Sequence, residues 1–155
     1  MYLGYQQGKI KFYTEQPLDN VFYNLDKVEE TQDEYILDGE EYVLKDEAWE
    51  AKKAQEEKER IAMLSLTRGD VFRGLYQAKQ VTREQIRAMI ESNELISEAQ
   101  RELALIDFDE ALNFYRGNVL IDTLGLALGI TSEQLDKFFE TNDYTVLLDI
   151  PRENV

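Results

Sequence analysis

The chain has 155 residues, enough for one medium domain or two small units, and 43% of them are hydrophobic, which suffices for a core. It carries 32 acidic and 17 basic residues, a formal net charge of −15, which repels phosphate backbones and anionic membranes. Direct binding of nucleic acid or of a membrane surface is therefore not expected. Three explanations of the acidity stay open: solubility, a basic protein partner, or mimicry of nucleic acid.

Cysteine and histidine are both absent from the chain. Their absence excludes disulfides, thiolate metal sites, the serine and cysteine triads and the commonest general base. We therefore expect no enzyme activity and no metal or other cofactor. The N-terminal residues lack a basic leader followed by an apolar run, and no stretch reaches the roughly 18 apolar residues of a membrane span. These features predict a cytoplasmic protein.

Residues 1–45 predict a small β unit, because short aromatic-rich runs alternate with turn residues. The first two strands are expected over residues 2–5 and 9–13, with Gly8 between them.

A hairpin is predicted around the pair Asp38-Gly39, which separates two short apolar runs. This pair tolerates the positive φ angles of a type I′ turn. A hairpin alone in water is marginal, so its apolar face needs cover from the first strands or from another protein. Tyr35 and Tyr42 are therefore candidate partner-binding residues.

Residues 46–65 predict a charged linking helix, since they contain no Gly or Pro and consist of good helix formers. Trp49, the only tryptophan, lies on this polar segment. It is expected to pack on Tyr35 and Tyr42, or else to be an exposed anchor for a partner. A weak self-association seam along the helix leaves a homo-oligomer open.

Residues 66–150 predict a bundle of four or five short helices, followed by a tail over 151–155. Two capping boxes mark helix starts at Thr82 and Thr131.

A longer helix is expected from Ser92 or Asn93 towards Arg116, ended by Gly117. Its predicted inward stripe is Leu105, Phe108, Leu112 and Tyr115. Its predicted acidic row is Glu94, Glu98 and Glu102.

Two further groups are candidate sites. The carboxylates of Asp107, Asp109 and Glu110 could hold a hard cation, but a solvated helix face is the expected explanation because no phosphate-binding loop accompanies them. Tyr115 and Arg116 have the composition of a corner between helices. Arg116 is expected to pair with Glu110, Asp122 or a partner's carboxylate, and both residues are kept as candidate partner contacts.

These segments together resemble small proteins encoded beside tail-fibre genes in bacteriophages and prophages, some of them tail fibre assembly proteins. The resemblance covers the chain to about residue 141. It is carried by the segments EYILDGEEYVLKDEAWE, AKKAQEEKERIAML, LTRGDVFRGLY, VTREQIRAMI, FDEALNFYRGN and LGITSEQLDKFF. Many such proteins have a proline after the position of Asn118, where this chain has Val119.

The prediction is thus an α+β protein with a small antiparallel β unit, a linking helix and a helical module. The resemblance implies a tail fibre assembly chaperone or minor tail component, whose partner is a tail fibre or other tail protein. Its location would be the cytoplasm of the bacterial host or the virion tail. The alternative function is an acidic decoy that mimics nucleic acid and inhibits a host nucleic-acid-binding protein.

Overall fold

The computed structural model describes residues 1–149 and has the predicted α+β fold, with antiparallel strands first and helices after them. A 3₁₀ helix, Tyr144–Leu147, follows the last α-helix. The other elements, in chain order, are β1 (Tyr2–Gln6), β2 (Lys9–Thr14), β3 (Lys27–Glu30), β4 (Tyr35–Asp38), β5 (Glu41–Leu44), α1 (Glu47–Ala62), β6 (Ser65–Thr67), α2 (Arg68–Lys79), α3 (Arg83–Glu91), α4 (Glu98–Glu110), β7 (Asn113–Tyr115), α5 (Val119–Leu128) and α6 (Ser132–Thr141).

The chain forms two compact units, residues 1–56 and the part that begins at Glu57. The boundary falls inside α1, so the predicted linking helix contributes residues to both units. That helix ends at Ala62, and the residues predicted to finish it instead lead into β6. Residue 150 and the predicted tail 151–155 lie outside the described residues.

The first unit contains a three-stranded antiparallel sheet in the order β2-β1-β3. Gln7 and Gly8 connect β1 to β2, and both have positive φ, which is the pattern of a type I′ turn. β3 was not predicted, because only Val28 in it is apolar.

The second element of this unit is the predicted hairpin, β4–β5, in which Asp38 opposes Glu41. The loop is therefore Gly39-Glu40, and of these two only Gly39 has a positive φ, +68°. This is the φ pattern of a type II′ turn, so the predicted type I′ turn at Asp38-Gly39 was wrong by one position.

The second unit is a helical module around one core. Both predicted capping boxes are present, with Gln85 and Gln134 completing those of Thr82 and Thr131. The buried apolar side chains come from every element between α2 and the 3₁₀ helix: Val71, Leu75, Val81, Ile86, Ile90, Ala104, Phe108, Phe114, Leu120, Ile121, Leu124, Ile130, Leu135, Phe138, Phe139 and Leu147.

The long helix predicted from Ser92 or Asn93 to Arg116 is wrong. α4 begins after Ser97, which forms a third capping box with Gln100, and it ends at Glu110. Residues 113–115 instead form β7, which pairs with β6 in a three-residue ladder. The predicted stripe thus breaks after Phe108, and Leu112 and Tyr115 are exposed.

Gly117 does not end a helix. Its backbone N–H donates to the carbonyl of Ala62 at 3.0 Å, just beyond the β6–β7 ladder. A Cβ at this position would lie 3.1 Å from that carbonyl oxygen, so the close approach of the two segments favours glycine here.

Candidate protein-binding site

The outer edge of β4 is unpaired among the described strands, since β4 bonds only to β5. In a hairpin with a two-residue loop, the two residues that flank the loop are hydrogen-bonded to each other through their backbones. Every second pair of opposing residues beyond them is hydrogen-bonded in the same way. The bonded pairs are thus Asp38–Glu41 and Ile36–Val43. Tyr35 and Leu37 belong to the alternate pairs, so their backbone N–H and C=O groups point outward. These groups can accept a further strand.

Tyr35 and Tyr42, the candidate partner-binding tyrosines, attach the hairpin to β2. The Tyr13 ring on β2 lies 5.6 Å from the Tyr35 ring and 5.9 Å from the Tyr42 ring, between centroids. The Tyr13 hydroxyl donates to the carbonyl of Asp33 at 3.1 Å. Tyr35 and Tyr42 are both half-buried, so they fix the hairpin on β2 with their rings.

Leu37 is the edge residue that the sequence did not single out. Its side chain is 56% exposed, although it lies on the same face of the hairpin as Tyr35 and Tyr42. The period-2 alternation from Tyr35 was the signal that could have found it.

Trp49 lies beside the turn of the hairpin rather than in a ring contact with the tyrosines. The Lys53 ammonium lies 5.8 Å from the indole centroid and 3.2 Å from the Asp38 carboxylate. This lysine, chiefly through its hydrogen bond, holds the pKa of Asp38 below its ordinary value, and the nearby indole N–H adds to the effect. The indole nitrogen is buried, and within residues 1–149 it makes no hydrogen bond of ordinary geometry.

A second exposed feature of the first unit lies between β2 and β3. Val21 is 85% and Phe22 78% exposed. Both backbone N–H groups donate to the Asp19 carboxylate at 2.9 Å, and the Phe22 ring contacts Tyr23. The apolar tip is therefore held in a defined turn. The sequence does not predict this tip because no periodic pattern includes it.

Arg116 is a structural residue in the second unit. It is only 6% exposed, and each of its three nitrogens donates a hydrogen bond. Nε donates to Asp136 at 2.6 Å, Nη1 to Asp122 and Nη2 to the Ser132 hydroxyl, both at 2.7 Å. The expected pairing with Asp122 is confirmed. The Arg116 side chain is buried by contacts within the unit, whereas Tyr115 beside it is exposed, and a partner contact of these two residues stays a prediction.

The carboxylates of Asp107, Asp109 and Glu110 do not converge. Both carboxylate oxygens of Asp109 accept hydrogen bonds from Arg87, at 2.6 and 2.7 Å. The Asp107 carboxylate instead accepts a hydrogen bond from the Asn118 amide at 2.8 Å. Across residues 1–149 no group of three or more acidic side chains is arranged to hold a metal ion. The predicted acidic row is also broken, since Glu94 precedes the first turn of α4.

Comparisons with known proteins give no match, whether to protein-family models, curated protein sequences or solved structures. Within the described part of the chain, no helix has the length and apolar character needed to cross a bilayer. Function therefore has to be argued from the geometry of the surfaces themselves.

Proposed function

We propose that this chain is a non-enzymatic protein-binding protein that takes up an extended segment of its partner as a further strand on β4. The observation that carries this proposal is the open outer edge of β4, where Tyr35 and Leu37 present outward backbone groups. Strand addition of this kind supplies affinity through backbone hydrogen bonds and specificity through alternate side chains.

The hairpin is braced for such a role. The Lys11 ammonium donates to the Glu40 carbonyl at 2.7 Å, and Lys45 and Glu34 pair at 3.0 Å where the strands begin and end. Together with the Tyr13 ring contacts, these bonds give a rigid hairpin, which would otherwise be marginal.

The edge carries none of three common blocks to strand pairing, which are lysine, proline and a bulge. β4 has the sequence Tyr-Ile-Leu-Asp, and its register with β5 is regular over all four pairs. An edge left open in this way supports a binding function.

The partner that we propose is a phage tail fibre or another tail protein, on the strength of the sequence resemblance. The chain would act as an assembly chaperone in the bacterial host cytoplasm, or remain as a minor tail component. By covering an unpaired strand of the fibre protein before the fibre assembles, it would prevent edge-to-edge aggregation. The net charge of −15 would keep the complex soluble.

Co-expression with the tail fibre protein of the same phage or prophage tests this proposal. We expect the wild-type chain to raise the yield of soluble, assembled fibre. Leu37→Pro removes the outward N–H of an alternate pair and leaves the β4–β5 ladder intact, so it should abolish the gain.

Leu37→Thr is the matched control, because it keeps the N–H and the strand propensity while changing the side chain. It should retain most of the gain. If fibre yield is the same with and without the wild-type chain, the chaperone role is wrong. If Leu37→Pro is as effective as wild type, binding does not use the β4 edge.

A further inference from the structure

α4 carries apolar side chains on its exposed side as well as on its buried side. Ala104 and Phe108 point into the core of the second unit. Leu103 and Ile106, on the opposite side, are 63% and 55% exposed. A surface helix ordinarily has a polar outer face, and Glu102 and Asp109 on the exposed side of α4 follow that rule. Leu103 and Ile106 depart from it, and these two side chains form a small exposed apolar strip.

A groove lies next to this face, between α4 and the start of α5, with a volume of about 350 Å³. Leu103 and Val119 stand on its two sides, and Val119 is 60% exposed. Ala104 and Leu120 form its floor. Its lining follows α4 from Gln100 to Asp107, a rise of about 10 Å or two helical turns, and Ile96 extends it before the helix begins. A single helix fits a groove of this length.

The charge around the groove has one sign. Its lining contains no lysine or arginine and one carboxylate, that of Asp107. Asn118 fixes one oxygen of that carboxylate, and no cation between residues 1 and 149 pairs with it. Glu110 lies one turn further along the same side of α4, also without an ion pair among the described residues. The one cation of α4, Arg101, donates to the carbonyl of Asn93 and is not part of the lining.

We infer that this groove binds a basic amphipathic helix of another protein. The apolar side chains of that helix would pack between Leu103 and Val119, and a lysine or arginine beside them would pair with Asp107. A second copy of this chain is a poor occupant, because a two-fold contact would place the same unpaired carboxylates of α4 against each other. This surface belongs to the second unit, whereas the β4 edge belongs to the first.

The test uses two synthetic peptides of about 14 residues, four helical turns, with leucine at every third or fourth position. One peptide has lysine at the remaining positions and the other has glutamate. Binding to the full chain is measured by fluorescence anisotropy at about 0.15 M salt, where non-specific attraction between exposed charges is screened. We expect the lysine peptide to bind and the glutamate peptide not to bind.

Variants locate the site. Leu103→Ser should weaken binding about tenfold, equivalent to about 1.4 kcal/mol, and Asp107→Asn should weaken it several-fold while keeping the hydrogen bond from Asn118. The matched controls are Tyr76→Ser, another exposed apolar position, and Glu133→Gln, another exposed acid; both should bind as wild type does.

Three results would overturn the inference. One is failure of the lysine peptide to bind the wild-type chain. Another is a loss of affinity in the two control variants as large as that in the groove variants, which would mean that the peptide does not bind at the groove. The third is a wild-type dimer that Leu103→Ser converts to a monomer, which would make a second copy the occupant.

Discussion

The Arg116 guanidinium donates through Nε to the Asp136 carboxylate at 2.6 Å, from a position that is almost fully buried. Arg116 follows β7, and Asp136 lies in the middle of α6. Together with the bond from Nη1 to Asp122, this contact joins the strand pair to the two C-terminal helices. It is therefore a structural tie within the second unit.

Loss of this tie should destabilise the second unit. We expect Arg116→Met, which nearly keeps the side-chain volume, to lower the free energy of unfolding by about 1.5–3 kcal/mol, because it removes the charge-assisted hydrogen bonds to Asp122 and Asp136. Urea denaturation followed by far-UV circular dichroism measures the change. Arg73→Met is the control, since the Arg73–Asp70 pair is exposed and its loss should cost under about 1 kcal/mol. Equal losses in the two variants would contradict the structural role of Arg116.

A second prediction concerns Gly74 in α2. A Cβ there would lie 2.4 Å from Cζ of Phe138, whose ring is buried and cannot move aside. Gly74→Ala should therefore lower the free energy of unfolding by about 1–3 kcal/mol through overpacking. Gly69→Ala on the same helix meets only the Thr67 hydroxyl at 3.9 Å, so its effect should be neutral or stabilising. The thermal midpoints of both variants give the comparison, and similar midpoints would contradict this packing.

A third prediction concerns the C-cap of α2. Gln80 has φ 55° and ψ 29°, a left-handed conformation that disfavours side chains with a Cβ. Gln80→Gly should raise the free energy of unfolding by about 0.5–1 kcal/mol, since glycine adopts this conformation without the steric penalty. Gln77→Gly, at an exposed position inside the helix, should lower it by a similar amount. A destabilised Gln80→Gly variant would contradict the observed cap.

A fourth prediction concerns alkaline pH. The Tyr5 hydroxyl donates to Glu29 at 2.7 Å, and this bond is the main reason that the pKa of Tyr5 is raised from 10.0 to about 12. A raised folded pKa favours the neutral side chain, so the stability that Tyr5 contributes is complete below pH 10 and is lost as the pH rises towards 12.

The measurement compares wild type with Tyr5→Phe by urea denaturation, followed by the fluorescence of Trp49 in the same unit. The difference in unfolding free energy between the two proteins should be constant below pH 10 and should shrink between pH 10 and 12. A difference that is unchanged through this interval would mean that the hydroxyl does not bond to Glu29.

Local signals in the sequence were sufficient for much of the fold. The capping boxes at Thr82 and Thr131 fixed two helix starts, because a cap depends on residues three apart. The hairpin around Gly39 was found for the same reason, although its turn type was not. The elements that were predicted wrongly depend on contacts between residues that lie far apart in the chain. β6 and β7 are three residues each, lie far apart in the chain and form only by pairing with each other.

The candidate site was predicted less completely. Tyr35, Tyr42 and Trp49 lie on or beside the hairpin as expected, but the two tyrosine rings turn towards Tyr13, which no local pattern foretells. Leu37 is exposed because β2 packs beside β5 and not beside β4, a tertiary contact that the residues of the hairpin do not determine.

Residue-resolved amide hydrogen exchange of Leu37, free and bound to the fibre protein, tests strand addition most directly. In the free chain its outward N–H should exchange quickly, while the inward N–H of Ile36 should be protected by the ladder. On binding, the Leu37 amide should become strongly protected and that of Ile36 should change little. A complex in which the Leu37 amide still exchanges at the free rate would contradict strand addition at β4.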